Sequence, residues 1–338
     1  MNDLQDTECK LTLAIKKFVY DIVYIDGVVD NSIELSDVTA NLSLSNLDYW
    51  ERFIDSVYAQ ALREYTPSRF IFWRKAFNNI TLLDLVNRNG YKREKALLSL
   101  PSQIPNSFFA SIIIRRLNDW VPQVRLAARE RLPEIIRNTD PSHTVNALLA
   151  LIPNWGSWAR LEVADKNIFL NIMRDEKISE VLRYKLMSSS TGPMPLLFSQ
   201  CGRALILEGY VEKIAESAKQ PAVRAKAYRS LFEKRVSWVE RREWKWESKS
   251  SCIGKYVPII SAADISVEKS ILDLLELSAH DKSSIVRRVS AEFLIKNIDV
   301  IGECAVHFAE KFASDNSISV SERGMFALKQ LGHEKIPL

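Results

Sequence analysis

Histidine and cysteine are scarce: the 338 residues contain four of each. His143, His280, His307 and His333 lie in separate segments, and no two have the spacing of metal ligands. Cys9, Cys201, Cys252 and Cys304 sit far apart and form no C-x-x-C, so they read as isolated reduced thiols, not a disulfide framework. G-x-S-x-G, P-loop, G-x-G-x-x-G and H-E-x-x-H sequences are missing. With no clustered ligands and no matched nucleophile and base, the chain is expected to hold no metal or cofactor and to lean away from catalysis. Glycine (10) and proline (12) are few, and alternating β-branched runs are rare, so a sheet protein is not expected. Residues 11–29 are apolar, but Lys16, Lys17, Asp21 and Asp26 interrupt them. Neither a membrane span nor a signal peptide is read there, and a cytoplasmic protein without membrane contact is the expectation.

Charge is plentiful and unevenly placed. The net charge is only +4. Residues 1–67 hold five basic and twelve acidic side chains, a balance of −7, which leaves +11 on the remainder. This sign change suggests an acidic N-terminal helical cap over 1–67 on a basic body over 68–338.

The body contains a recurring stretch. Its clearest copy is Asp119-Trp-Val-Pro-Gln-Val-Arg-Leu-Ala-Ala-Arg-Glu-Arg-Leu132. Residues 220–231 and 281–294 repeat it in degraded form. In each, Val-Arg is followed by a small residue and then Leu: Arg125/Ala128/Leu132, Arg224/Ala227/Leu231 and Arg287/Ser290/Leu294. Val124, Ala128, Leu132 and Ile135 step by four, four and three, so they share one helical face. The small residue lies mid-face, where a larger one would hold a neighbouring helix away. Asp119 and Asp281 are placed to cap these helices, and Pro122 and Pro221 fall in the first turn, where a missing N–H is harmless. Pro133 is expected to kink or end its helix. The Arg lies off the core face, where an Asp of one copy and the Arg of the next are expected to form a ladder. Two weaker copies offer Val181/Arg183/Leu186 and Val320/Arg323/Ala327. The five Val anchors are then spaced by 57, 42, 63 and 34 residues.

The D-x-x-x-x-V-R-x-x-A-x-x-x-L pattern resembles HEAT-type repeats, over residues 106–332. The resemblance implies an all-α fold: a right-handed α-α superhelix of HEAT-like helix pairs, about 40 residues each. It also implies an interaction scaffold, since such repeats most often present a surface to another macromolecule. One enzyme class shares the architecture, the HEAT-like alkylpurine DNA glycosylases, which line a basic groove with Trp, Asp and Arg. The nearest counterpart here is Trp158 with Glu162 one turn later, beside Trp155 and Arg160; the family has Asp where Glu162 stands.

Around the motif helices, the periodicity predicts helices over 9–25, 45–64 and 68–89, with Leu13, Phe18 and Ile22 as core candidates in the first. Residues 28–44 fit an irregular loop or a small hairpin. The second motif helix is expected to begin at Pro221 and run past Trp238, with 248–266 as a loop. Residues 234–249 interleave Arg235, Arg241, Arg242, Lys245 and Lys249 with Trp238, Trp244 and Trp246. Cations attract phosphates or acidic side chains, and Trp faces stack on bases or anchor protein contacts. Glu240, Glu243 and Glu247 also fit this stretch to a solvated helix of paired charges. The candidate partner-binding residues are Arg235, Arg241, Arg242, Trp244, Lys245, Trp246 and Lys249, with Trp155, Trp158 and Arg160. The expected partner is a protein; the alternative is a nucleic acid.

Overall fold

The computed structural model describes residues 2–25, 31–65 and 80–332. Contacts gather the chain into two compact units, Met1–Ile178 and Ser179–Leu338. Among the described residues there are seventeen α-helices and one two-stranded antiparallel sheet. No described helix is long and apolar enough to cross a membrane.

The first unit holds α1 (Asn2–Tyr24), α2 (Asn31–Ala40), α3 (Leu47–Tyr65), α4 (Gly90–Ser99), α5 (Ser107–Arg115), α6 (Pro122–Asn138), α7 (Pro141–Trp155) and α8 (Val163–Arg174). Helix α9 (Glu176–Ser188) begins in it and ends in the second. On α1, Leu11, Ile15, Val19 and Ile22 recur at helical spacing and are buried, whereas Leu13 is 62 % exposed on the opposite face. Segment 28–44, open between loop and hairpin in the sequence, contains α2 instead. The helix expected over 68–89 lies for the most part outside the described residues; Leu82–Val86 forms a 3-10 turn capped by Thr81 and Asp84. Asn106 caps α5 through the Phe109 N–H (3.1 Å), and α6 continues through Pro133 without a break in its assignment.

The second unit holds α10 (Met194–Arg203), α11 (Val211–Ser217), α12 (Pro221–Glu233), β1 (Arg235–Ser248), β2 (Ile253–Asp264), α13 (Ile271–Ala279), α14 (Ser284–Lys296), α15 (Ile298–Ile301), α16 (Cys304–Ala313) and α17 (Ile318–Gln330). The hairpin corrects the purely helical expectation. It also accounts for the longest spacing between motif anchors. Val223 and Val286 are 63 residues apart, and the hairpin from Arg235 to Asp264 occupies 30 of them. The 33 that remain are close to the 34 between Val286 and Val320.

The motif positions are buried as one set. Val124, Ala128 and Leu132 on α6, Val223, Ala227 and Leu231 on α12, and Val286, Ser290 and Leu294 on α14 all lie in the core. Burying each Val or Leu contributes about 1.5–3 kcal/mol. In α17 the same steps of four give Val320, Gly324 and Leu328, all buried. The small residue of that copy is therefore Gly324, where the sequence pointed to Ala327. In α9 the buried set is Ile178, Leu182 and Leu186, and Val181 is half-buried, so the anchor sits one helical turn earlier than expected.

The motif arginines share one geometry. Arg125, Arg224 and Arg287 each donate from Nη1 to the carbonyl six residues earlier, at 2.8–2.9 Å, on Asp119, Ala218 and Asp281. This ties the start of each helix to the turn before it. The ladder exists in the second unit with its direction reversed. Arg224 grips Asp281 (2.7 and 2.8 Å), and Arg287 grips Asp315 (2.5 and 2.9 Å), so each Arg reaches the Asp of the following copy. The Arg287 hydrogen bonds hold the Asp315 carboxyl below the usual aspartate range. In the first unit the motif arginine Arg125 stands 3.6 Å from Glu162, and the bidentate pair is made by Arg129, four residues later, with Asp165 (2.5 and 2.9 Å).

Candidate functional site

The β1–β2 ribbon arises from a local break in α12. Lys234 adopts φ +52° at the helix C-terminus, and its N–H closes onto the Leu231 and Ser230 carbonyls. A left-handed residue there ends the helix and turns the chain outward. Val236 then packs into α10 at Gly202, where an added Cβ would stand 2.1 Å from the Val236 side chain. The Ser199 hydroxyl donates to the Ser237 carbonyl (3.0 Å), and Arg203 pairs with Glu240 (2.5 Å). Those contacts fix the root of the ribbon to α10. Exchanging Lys234 for glycine, which adopts this conformation without a Cβ penalty, should raise stability by about 1 kcal/mol. An unchanged or lower urea midpoint would show that the left-handed turn is not a source of strain.

Register assigns the side chains to two faces. Arg242 pairs with Pro258, Trp244 with Tyr256, and Trp246 with Gly254. Bulges on β1 fall between Val239 and Arg241 and between Trp246 and Ser248, while β2 runs without one. Opposed residues share a face and the faces alternate. One face therefore carries Val239, Arg242, Trp244 and Trp246 with Ile260, Pro258 and Tyr256. It meets solvent: Trp244, Trp246 and Tyr256 are 44 %, 47 % and 66 % exposed. Their rings form an edge-to-face cluster, with Trp244 5.1 Å from Tyr256 and 5.4 Å from Trp246. The other face carries Trp238, whose indole donates to Glu240 (2.8 Å), together with Arg241, Glu243, Lys245 and Lys255.

Charges along the ribbon divide into engaged and free. Arg241 pairs with Glu243 (2.6 Å) and Lys255 with Glu247 (2.5 Å), while Arg235 stands 3.7 Å from Glu233. No carboxylate among the described residues pairs with Arg242, Lys245 or Lys249. All three are exposed. Arg235, Arg241, Arg242, Trp244, Lys245, Trp246 and Lys249 thus lie together on one strand and its turn, not on the continuation of α12. Val239, Tyr256, Pro258 and Ile260 complete the surface and were not read from the sequence. Their signal was the i, i+2 alternation of Tyr256, Pro258 and Ile260 against that of Trp244 and Trp246.

The other three candidates belong to the first unit and separate from one another. Trp155 is in the core, stacked on Phe169 at 4.3 Å and 17°, so it is a packing residue and not a partner contact. Trp158 and Arg160 line a pocket of about 290 Å³ with Glu51, Arg116 and Trp120. Its polar floor is an alternating chain. Arg115 meets Glu51 (3.1 Å), Glu51 meets Arg116 (2.7 Å), Arg116 meets Asp119 (2.9 Å), and Asp119 meets Arg93 (2.7 Å). Asp48 also pairs with Arg115, so three arginines meet three carboxylates, and these charges neutralise one another and hold the helices. Residues 157–162 are not helical, and Glu162 is the N-cap of α8, paired with Arg129 (2.9 Å). Trp158 and Glu162 therefore do not share a helical face, which removes the geometry on which the glycosylase comparison rested.

Among the described residues no three His, Cys, Asp or Glu side chains converge as a metal site. Cys201 is buried, and burial pushes its thiol well above the usual range, so it is a poor nucleophile. No protein-family model matches the chain, and no curated protein or solved structure matches it either.

Proposed function

We propose that the chain is a non-catalytic binding scaffold built of HEAT-type helix pairs, and that it presents the β1–β2 ribbon to a protein partner. The repeat assignment draws support from the common Val–small–Leu burial on α6, α12, α14 and α17 and from the arginines that close α6, α12 and α14 onto the preceding turn. The binding assignment rests on the solvent face of the ribbon. Trp, Tyr and Arg dominate the few residues that carry most of an interface's energy, and here Trp244, Trp246, Tyr256 and an unpaired Arg242 lie side by side. A protein partner is favoured over a nucleic acid because the rings pack edge to face, at 72° and 87°. Such a cluster fills its own ring faces and leaves fewer open for bases to stack on.

The test is capture from the native host with the full chain and a variant carrying Arg241→Glu, Arg242→Glu and Lys245→Glu, each with and without nuclease. The expected result is a partner that survives nuclease and is lost from the variant, with Trp244→Ala weakening capture by about 2 kcal/mol. Capture that vanishes with nuclease assigns the ribbon to nucleic acid, and its salt dependence should then flatten in the variant. Capture unchanged in the variant removes the ribbon from the interface.

A further inference from the structure

We propose that the free edge of β1 accepts an extended, acidic segment of the partner as a third strand. This rests on the reading of the ribbon as a protein-docking element and specifies how the partner is held.

The direction of the backbone groups follows from three observations. The Ile265 N–H donates across the root of the ribbon to the Lys234 carbonyl (3.0 Å). Inward and outward pairs alternate along an antiparallel ladder. Since β2 carries no bulge, its odd-numbered positions face inward and its even-numbered positions face outward, together with their partners on β1. Ser237, opposite Ala262, agrees: its carbonyl accepts from Ser199, which lies outside the ribbon. Pro258, an even position with no N–H to give, agrees as well.

The two edges therefore differ. On β2 the outward series Gly254, Tyr256, Pro258 lacks a donor at the proline. On β1 the root is covered by α10, but Arg242, Trp244 and Trp246 turn N–H and C=O outward. No described residue outside the ribbon hydrogen-bonds to them. Proteins blunt unused strand edges with proline, and only one edge of this ribbon is treated so. The free run from Arg242 to Trp246 spans about 17 Å at the strand rise. A segment paired along it would set alternate side chains beside the exposed rings of Trp244 and Trp246. Arg242, Lys245 and Lys249 surround this run without carboxylates of their own, so the complementary segment alternates apolar and acidic residues. A second copy of β1 is the competing occupant: with Trp244 opposite Trp244 it would set Arg242 against Trp246 and Lys245 against Glu243, and would leave Lys249 without an anion.

The test uses a labelled decapeptide of alternating Val and Glu, measured by fluorescence anisotropy against the full chain. Two further versions carry N-methyl groups on alternate amides, one on the Val positions and one on the Glu positions. Strand addition predicts binding of the parent peptide and at least about tenfold weaker binding of one methylated version only, because one set of amides faces β1 and the other faces water. On the protein side, Arg242→Ala and Arg242→Pro both remove the guanidinium, but only proline removes the outward N–H. Arg242→Pro should bind at least about tenfold more weakly than Arg242→Ala, while Ile260→Pro and Ile260→Ala, on the other edge, should bind alike. The proposal is overturned if the parent peptide does not bind or if both methylated peptides bind as the parent does. It is also overturned if a dT10 oligonucleotide displaces the peptide and binds the Arg242→Pro chain normally, or if the chain itself dimerises through this edge. Loss of host-partner capture in the triple Glu variant alongside any of these results would leave the docking surface standing and remove only the strand addition.

Discussion

Exchanging Asp119 for alanine should lower the free energy of unfolding by about 4 kcal/mol, read as a shift of the urea midpoint at constant slope. The Asp119 side chain is 1 % exposed and lies between Arg93, itself 3 % exposed, and Arg116. Arg93 holds it with two hydrogen bonds of 2.7 and 2.9 Å, and the Val121 N–H adds a third at 2.9 Å. Removing the carboxylate leaves the Arg93 guanidinium buried with no anion, and an uncompensated buried charge is what makes such losses large. The same group should make the first unit sensitive to acid. Burial by itself would raise the Asp119 pKa, but the hydrogen bonds from Arg93 and Val121 and the positive charge of both arginines bring it below the ordinary value. A carboxyl with a depressed folded pKa contributes stability that is complete above its unfolded value, about 3.9, and is lost as pH falls through the folded one. Wild-type stability should therefore fall more steeply below about pH 4 than that of Asp119→Asn. Parallel curves for the two proteins would show that the pair does not carry the acid response.

Gly324→Ala should destabilise the second unit by about 3 kcal/mol. Two effects of opposite sign compete. Alanine is the better helix former by about 1 kcal/mol, which favours the substitution in the interior of α17. Against this, the new methyl would lie 2.1 Å from the Ala313 nitrogen and 2.4 Å from the Phe312 carbonyl carbon. Both are backbone atoms of the α16 C-terminal turn, and they can yield only if the two helices move apart. That separation would open the contacts made by Val320 and Leu328 and draw on the neighbouring Arg287–Asp315 pair. Overpacking against backbone outweighs the propensity gain. A midpoint equal to or above that of the wild type would mean that α16 and α17 part at little cost, and it would weaken the equation of Gly324 with Ala128, Ala227 and Ser290.

The buried positions of the Val-Arg motif were legible in the sequence because their cause is local. Val124, Ala128 and Leu132 fall on one helical face whatever else the chain does, and the matching triplets in α12 and α14 bury the same face. The fourth triplet was visible in principle at Val320, Gly324 and Leu328. It was obscured because the Arg that marks the other copies has no counterpart beside Val320, where Ser321 stands.

The candidate surface was legible as a set of residue types and not as a geometry. Arg241, Arg242, Trp244, Lys245 and Trp246 stand within six residues, so their proximity follows from chain connectivity alone. Whether they alternate about a strand or wind around a helix depends on Lys234, whose left-handed turn ends α12, and on Val236, which needs the space that Gly202 leaves on α10. Local charge spacing in this segment satisfies a helix equally well. The choice was made by partners distant in sequence, including Tyr256, Pro258 and Ile260 on β2. Trp155 and Trp158 show the same division. Three residues apart in one stretch, they are equivalent by composition, yet Phe169 draws one into the core while the non-helical turn after α7 leaves the other on a pocket rim. Helix faces were set by the sequence because their period is intrinsic to the backbone. The ribbon, its free edge and the fate of each tryptophan were set by tertiary packing, because each depends on which distant surface a side chain meets.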